Sequence, residues 1–95
     1  MLFLVRMEIS LPQDAEPRWL EELRISEKAR AGELQRMGKW IHLWRVVGRF
    51  ANVGVFDVDS NDELHTLISS LPFHPFMDVT VIPLAKHPSA IEKGN

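Results

Sequence analysis

The sequence predicts an α+β fold of the ferredoxin-like type, in which an antiparallel four-stranded sheet carries two helices on one face. Two observations support this prediction. Segments with strand character and segments with helical spacing follow one another in the order βαββαβ. The chain has 95 residues, 45% of them apolar and 25% charged, which suits one small domain. We therefore treat residues 1–95 as a single domain, with the polar end 92–95 expected to fray.

The first strand and the first helix follow from alternation and from helix-end signals. Residues 2–10 alternate along a strand, one side of which consists of Phe3, Val5, Met7 and Ile9. Asp14, Glu16 and Pro17 then form the acidic, proline-first start of a helix. We expect that helix to end near Met37-Gly38, because a glycine suits a left-handed C-terminal cap.

A β-hairpin is predicted in the middle of the chain. Residues 40–47 and 50–58 are rich in aromatic and β-branched side chains, which is typical of strands. Gly48 and Arg49 separate the two segments, so we expect them to pair antiparallel through a two-residue connection.

The second helix and the last strand complete the pattern. Ser60 and Glu63 have the spacing of a capping box, and Pro72 ends the apolar helical spacing that follows. Residues 76–84 are predicted to be a strand, in which Pro83 indicates an edge or terminal position. The sheet face away from the helices would still carry apolar side chains, and a second copy of the chain is the simplest cover for it.

Composition and spacing exclude several classes of function. Eleven basic residues against thirteen acidic ones give a net charge of −2, and the basic residues are scattered, so we expect no nucleic-acid partner. The absence of cysteine excludes disulfides and thiol chemistry. The four histidines have no metal-ligand spacing, and no phosphate-binding glycine motif is present, so we expect neither metal nor cofactor. The apolar run at residues 1–5 is too short to span a membrane, which favours a cytoplasmic protein.

One carboxylate of the first helix is out of place. On a helical wheel Glu27 falls in the middle of the apolar stripe formed by Leu20, Leu23, Ala31 and Leu34. Burial of a carboxyl group raises its pKa toward the range that suits a general base at neutral pH. The alternative interpretation is a structural carboxylate at the edge of the stripe that reaches solvent or pairs with Arg24 or Arg30.

The hairpin offers a candidate pocket wall for this carboxylate. Strict alternation places two sets of side chains on one face, namely Trp40, His42, Trp44 and Val46 of one strand and Phe50, Asn52, Gly54 and Phe56 of the other. A mostly apolar wall with a few polar groups is typical of a site for a small planar ligand. The alternative is ordinary core packing in which Gly54 marks a bulge. Which parity faces the helices is left open by the sequence.

The sequence also resembles a known family over nearly its whole length. The resemblance lies in Met1-Leu2-Phe3, Leu11-Pro12, Glu27-Lys28, Trp40-Ile41-His42-Leu43-Trp44-Arg45, Ala51-Asn52, Val55-Phe56-Asp57-Val58, Leu71-Pro72, Met77-Asp78 and His87-Pro88-Ser89. These segments are similar to the muconolactone Δ-isomerase family of the catechol branch of the 3-oxoadipate pathway. The resemblance implies a cofactor-free enzyme that converts (S)-muconolactone into 3-oxoadipate enol-lactone. It also implies a homo-oligomer of the dimeric α+β-barrel type, with a decamer as its expected size.

The resemblance gives the candidate residues their roles. Glu27 is the expected base, and Asn52 or His42 is the expected hydrogen-bond donor to the dienolate that forms. Trp44 and Phe50 are expected to form an apolar slot. Arg45 is the candidate for the acetate carboxylate of the substrate, although strict alternation turns it away from His42 and Trp44.

Two departures and two alternatives stay open at this point. The family often has a tyrosine where this chain has Phe50, so that position carries no hydroxyl here, and His74 has no recognised counterpart. Another enzyme of the dimeric α+β-barrel group, such as a dehalogenase of chlorinated muconolactones, would share the fold. A non-enzymatic small-ligand-binding module, with Glu27 in a structural ion pair, is the second alternative.

Overall fold

A computed structural model describes residues 1–91 of the chain. Its elements are β1 (Leu2–Ile9), α1 (Pro17–Arg36), β2 (Trp40–Arg45), β3 (Ala51–Asp57), α2 (Asn61–Ser69), a short 3-10 helix (His74–Phe76) and β4 (Met77–Leu84). The order is βαββαβ, so the ferredoxin-like prediction is confirmed. The expected fraying of residues 92–95 lies outside the described residues. None of the helices within residues 1–91 has the length and apolar character needed to cross a membrane.

The four strands form one antiparallel sheet in the order β2-β3-β1-β4. The alternating strand β1 is central and pairs with β3 on one side and with β4 on the other. Pro83 lies in β4, at an edge of the sheet, where its missing N–H breaks no inter-strand pairing. The edge position that its proline predicted is therefore confirmed.

The core lies between one face of the sheet and both helices. Leu34 of α1 and Leu64 of α2 belong to the same buried cluster as the inward side chains of β1. We call this side of the sheet the helix-facing side. The strand register divides it into successive layers, in which Phe3 lies beside Phe56, Val5 beside Gly54, and Met7 beside Asn52.

The predicted two-residue hairpin connection is wrong. Strand β2 ends at Arg45, and the connection runs through residues 46–50. Its backbone closes on itself, because Arg49 N donates to Val46 O at 3.3 Å and Val46 N donates to Ala51 O at 3.0 Å. Gly48 has a φ of +81°, a left-handed conformation that glycine adopts without a steric penalty.

Strict alternation along β2 is also wrong, because the strand contains a bulge. Trp40 pairs with Phe56 while His42 pairs with Val55, so one extra residue, Ile41, stands between the two pairs. Trp40 therefore lies on the helix-facing side, whereas His42 and Trp44 lie on the outer side. The expectation that these three side chains share one face fails for this reason.

Gly54 allows Trp40 to pack as it does. A methyl group at Gly54 would lie 2.5 Å from the backbone oxygen of His42 and in closer contact still with Nε1 of Trp40. The Trp40 ring stacks on Phe56, with ring centroids 4.9 Å apart and planes inclined by 22°. The bulge and the glycine opposite it thus act together to lay the indole flat against β3.

The start of α2 follows the capping prediction with one difference. Ser60 Oγ accepts a hydrogen bond from Glu63 N at 3.0 Å, as expected. The Glu63 carboxylate accepts from Asp59 N at 2.8 Å instead of the N-cap nitrogen. Lys39 lies 3.2 Å from the same carboxylate, so α2 is tied to the residue that precedes β2.

We predict that Gly54→Ala destabilises the protein by roughly 1–3 kcal/mol, the usual cost of overpacking a core. The added methyl meets a backbone carbonyl and an indole that is itself confined by Phe56, so neither neighbour can move cheaply. Urea unfolding followed by circular dichroism measures the change.

Gly32→Ala is the matched control, because its methyl would meet only the flexible end of Arg36. We expect that control to gain about 0.5–1 kcal/mol from helix propensity. A Gly54→Ala protein as stable as the parent would contradict the packing described.

Candidate active site

Glu27 lies on the inward side of α1 and is half-buried. Its Oε1 accepts a hydrogen bond from the backbone N–H of Phe73 at 2.8 Å. Phe73 is buried and belongs to the segment between α2 and β4. The contact holds the carboxylate in one orientation and leaves its second oxygen without a hydrogen bond from the described residues.

No cation pairs with Glu27 within residues 1–91. Arg30 donates to Ser70 Oγ at 2.9 Å and lies 3.6 Å from the Glu33 carboxylate, so it is engaged elsewhere. Arg24 is exposed and borders a cleft beside α1. Within this part of the chain, Glu27 therefore does not form the ion pair with Arg24 or Arg30 that the structural interpretation offered as one possibility.

The surroundings of Glu27 raise its pKa above the ordinary value of 4.5. Burial is the larger cause, because removal of water disfavours the charged carboxylate. The hydrogen bond from Phe73 N acts in the opposite direction and is the weaker effect. A carboxyl group with a raised pKa and no neutralising cation is a candidate general base.

A cleft of about 620 Å³ lies between α2 and β4, and two further clefts lie on the same side of the sheet, next to the hairpin connection. The smaller of these two, of about 400 Å³, is bordered by Leu20 and Arg24, which precede Glu27 on the same face of α1. The larger, of about 690 Å³, includes Asn52. The clefts share Phe50, whose ring meets that of Phe73 edge-on with centroids 6.2 Å apart. Glu27, Phe73 and Phe50 therefore form one chain of contacts that leads to both clefts.

Asn52 supplies the amide of the larger cleft. It stands on the helix-facing side of β3, next to Met7 in the register. Its Oδ1 is buried and has no hydrogen-bond partner among the described residues. A buried amide oxygen without a partner costs free energy, so this atom marks a place where a ligand or a water molecule is expected to bind.

Arg45 lies on the same side of the sheet as Asn52. The two residues are direct partners in the register of β2 and β3, because the bulge at Ile41 reverses the facing of every later residue in β2. Arg45 borders the larger cleft, and no carboxylate lies within 4.0 Å of it among residues 1–91. Arg45 thus lies on the opposite side of the sheet from His42 and Trp44, as alternation predicted, but on the same side as Asn52.

His42 and Trp44 occupy the outer side of the sheet. Their rings stack with centroids 5.2 Å apart and planes inclined by 12°. Trp44 also borders the larger cleft at the end of the hairpin, whereas His42 does not border it. The structure thus groups Asn52, Arg45 and Phe50 around the larger cleft and leaves His42 on the other side of the sheet.

Two contributors to the site escaped the sequence analysis. Phe73 acts through its backbone N–H, which no side-chain pattern reveals, and it lies far from Glu27 along the chain. Arg49 donates from Nε to the Glu8 carboxylate at 2.8 Å, and this contact lowers the pKa of Glu8. The pair fastens the hairpin connection, and with it Phe50, to β1. The charges of both residues are visible in the sequence, but their pairing depends on the strand register.

The described residues form no obvious metal centre. Within residues 1–91 no three His, Asp or Glu side chains come together in a way that could hold a metal ion. Glu27 is the candidate group for proton transfer, and Asn52 and Arg45 border the larger cleft.

Together the fold and the site define a small ferredoxin-like protein in which a half-buried carboxylate is linked through Phe73 and Phe50 to two clefts. Comparison with known proteins narrows this class. The family model of muconolactone delta-isomerase matches residues 1–90. The chain belongs to this family.

Individual relatives agree with that assignment. A muconolactone Delta-isomerase of Cupriavidus pinatubonensis is 54% identical over 91 residues, which cover 96% of this chain and 99% of that protein. A muconolactone Delta-isomerase of Acinetobacter baylyi is 45% identical over 96% of this chain and 95% of its own length. A crystal structure of muconolactone isomerase superposes with a TM-score of 0.92 at 45% identity, and covers 100% of this chain and 99% of that one.

A more distant structure shares the fold alone. It is a 5-chloro-2-hydroxyhydroquinone dehydrochlorinase of Burkholderia phenoliruptrix, with a TM-score of 0.58 and 18% identity. It covers 92% of this chain and 96% of its own. The same scaffold therefore carries other reactions, and the site residues must decide between them.

We predict that Glu27→Gln makes the protein more stable relative to the parent as pH rises. The pKa of Glu27 is higher in the folded chain than in the unfolded one, so the fold favours the protonated carboxyl. The ionised form therefore costs stability above the ordinary value of 4.5, and the full cost is present only above the raised pKa. Glutamine keeps an acceptor for Phe73 N and removes that cost.

Urea unfolding of both proteins between pH 4 and pH 8, at one protein concentration, measures the difference. We expect it to be near zero at the acid end and in favour of the variant at the neutral end. Glu21→Gln, on the exposed side of α1, should show no such trend. A Glu27→Gln protein that is less stable than the parent at neutral pH would point to a structural ion pair instead.

Proposed function

We propose that this chain isomerises (S)-muconolactone to 3-oxoadipate enol-lactone, with Glu27 as the base. The observation that carries the proposal is the half-buried carboxylate of Glu27, which has a raised pKa, a fixed orientation and no cationic partner in the described chain. Membership of the muconolactone delta-isomerase family and the names of the relatives support the choice of substrate. The chemistry of the substrate supports the choice of residue.

Muconolactone is an α,β-unsaturated lactone whose ring carbon bearing the acetate arm carries an acidified hydrogen. The Glu27 carboxylate takes this proton, and the electron pair of the C–H bond moves through the ring onto the carbonyl oxygen. The resulting dienolate regains a proton at the carbon next to the carbonyl. The double bond has then shifted by one position, and atoms and charge balance without an oxidant or reductant. A carboxyl group with a raised pKa suits both proton transfers.

The hydrogen bond from Phe73 N makes the two carboxylate oxygens of Glu27 different from each other. Oε1 is held by the backbone, and the other oxygen is left to approach the substrate. A side chain that is fixed in this way loses little freedom when substrate binds, so more of the binding energy serves the reaction.

Asn52 is the proposed donor to the dienolate oxygen. Its amide borders the larger cleft, and its buried Oδ1 has no partner in the described chain. The oxygen and the NH₂ group of the Asn52 amide are nearly the same size. Rotation about the last side-chain bond therefore places an N–H donor where Oδ1 now lies. His42 lies on the outer side of the sheet, so a donor role for it requires a site completed by a second copy of the chain.

The remaining candidates bind the substrate. We propose that Phe50 provides an apolar wall, since its ring is half-exposed and borders both clefts, and that Trp44 closes the hairpin end of the larger one. Arg45 is the proposed partner of the acetate carboxylate. Its guanidinium has no ion pair within residues 1–91, and arginine binds carboxylates through two parallel hydrogen bonds.

We also propose that the protein is a homo-oligomer. The outer side of the sheet exposes large apolar side chains from three strands, among them Leu2, Trp44, Ile82 and Leu84. Such a face is typical of a surface that another subunit covers. The decamer implied by the family resemblance is the size we expect, and sedimentation velocity measures it.

We predict that Glu27→Gln lowers kcat for (S)-muconolactone by roughly 10²- to 10⁴-fold, the usual contribution of a general base. The amide keeps the shape and the contact with Phe73 N but cannot take a proton. The loss of the ring chromophore, followed by ultraviolet absorbance, measures the rate. Glu21→Gln is the control, and we expect it to keep the rate of the parent. An assembled Glu27→Gln protein with the turnover of the parent would remove Glu27 from the mechanism.

We predict that Arg45→Met raises KM roughly 10- to 100-fold and changes kcat much less, because a charge-assisted hydrogen bond to the acetate arm is made before and during reaction. Steady-state kinetics with (S)-muconolactone separate the two constants. Arg18→Met, at the exposed start of α1, removes the same charge away from the clefts and should change neither. An unchanged KM in Arg45→Met would assign the acetate arm to another cation.

A further inference from the structure

We propose that the indole N–H of Trp40 is a second hydrogen-bond donor to the oxyanion that forms during the reaction. The proposal rests on the proposed isomerase function and adds a catalytic residue to its site. Alternation along β2 placed Trp40 in the predicted pocket wall, but neither that pattern nor the family resemblance gave it a role in the reaction. Its support comes from three features of the helix-facing side.

The first feature is an unpartnered donor in the core. Trp40 is only 3% exposed, and its Nε1 is buried without a hydrogen-bond acceptor in the described structure. A buried tryptophan N–H normally finds a partner, because its loss of water is otherwise uncompensated. The stacked ring of Phe56 covers one face of the indole but provides no acceptor oxygen or nitrogen at its edge. The N–H is therefore left without a protein acceptor in the described structure.

The second feature is the position of that N–H over Gly54. Nε1 of Trp40 occupies the space that the Cβ of any other residue at position 54 would need. Asn52 lies two residues before Gly54, on the same side of β3 and closer to the hairpin connection. Residues two apart in a strand are separated by about 7 Å. The indole N–H therefore lies in the layer directly beside that of Asn52.

The third feature is that Asn52 is unpartnered as well. The described structure has two buried side-chain polar atoms without a hydrogen-bond partner, namely Trp40 Nε1 and Asn52 Oδ1. They stand in adjacent layers of one side of one sheet. When the Asn52 amide is turned so that its N–H takes the place of Oδ1, both positions carry donors, and a single ligand oxygen can accept from both. Asn52 borders the larger cleft, and so does Leu43, which is the register partner of Gly54, so the cleft reaches the layer of the indole although Trp40 itself does not line it.

The proposed reaction provides an acceptor for the Trp40 N–H, namely the carbonyl oxygen of the lactone. When Glu27 takes the ring proton, negative charge develops on the lactone carbonyl oxygen, and donors around that oxygen lower the barrier. An indole N–H is a donor only, so it cannot take part in the proton transfer and serves the oxyanion alone. In a site without water such a donor is worth more than in solution. Trp40 and Asn52 together would bind the oxygen from two adjacent layers.

The test compares Trp40→Phe with the parent. Phenylalanine keeps an aromatic ring against Phe56 and removes the N–H. We expect kcat for (S)-muconolactone to fall about 100-fold, the typical loss of one oxyanion donor, with a small change in KM. Trp19→Phe is the matched control, because Trp19 lies on α1 against Phe76 and borders neither cleft. That control should keep the kcat of the parent.

A second measurement separates a donor from a packing residue. The probe is 3,5-difluoro-4-hydroxyphenylacetate, whose phenolate has a planar ring, an oxyanion and an acetate arm, like the dienolate. Fluorine NMR reports its ionisation in the bound state. We expect the parent and Trp19→Phe to favour the bound phenolate strongly and Trp40→Phe to favour it less. Equal ionisation in the parent and in an assembled Trp40→Phe protein would overturn the proposal.

The parent protein provides a test that needs no variant. The probe should move the indole N–H resonance of Trp40 downfield in a nitrogen–proton correlation spectrum, while that of Trp19 stays in place. This result would support the donor even if Trp40→Phe failed to fold. A bound probe that leaves the Trp40 resonance unchanged would refute it. If the parent binds the probe through Trp40 but does not convert muconolactone, the proposed substrate is wrong and the donor stands.

Discussion

The hydrogen bond from Phe73 N to the Glu27 carboxylate is the contact on which the site depends. It joins the middle of α1 to the segment between α2 and β4, two parts of the chain that no sequence motif connects. Burial alone would favour a neutral carboxyl, and a nearby cation would favour a permanently charged one. A single neutral donor to a half-buried carboxylate lies between these limits. It fixes the group in place and leaves it able to exchange a proton.

The bulge in β2 is the second determinant. One extra residue at Ile41 sends Trp40 to the helix-facing side and His42 to the outer side, and it brings Arg45 beside Asn52. The glycine at position 54 accommodates the displaced indole. This irregularity in an edge strand therefore determines which side chains of β2 lie on the same side of the sheet as Asn52.

The sequence predicted the elements well and the facing of β2 poorly, for physical reasons. The alternation along β1, the serine cap of α2 and the proline in β4 are local signals, and the structure confirms each. Glu27 could be found because a charge in an apolar stripe is also a local signal. A bulge shifts a register that depends on the partner strand, and the length of the hairpin connection depends on where that register ends. The bond from Phe73 N involves a backbone group, so no residue pattern could show it.

The most direct test of the account is to give the purified protein (S)-muconolactone in deuterated buffer with EDTA and to follow the reaction by NMR. We predict rapid conversion to 3-oxoadipate enol-lactone without added metal or cofactor. We also expect any deuterium taken up from the solvent at the carbon next to the carbonyl, where the proton returns. No conversion by a folded, assembled protein, or conversion that EDTA abolishes, would contradict a mechanism based on the Glu27 carboxylate alone.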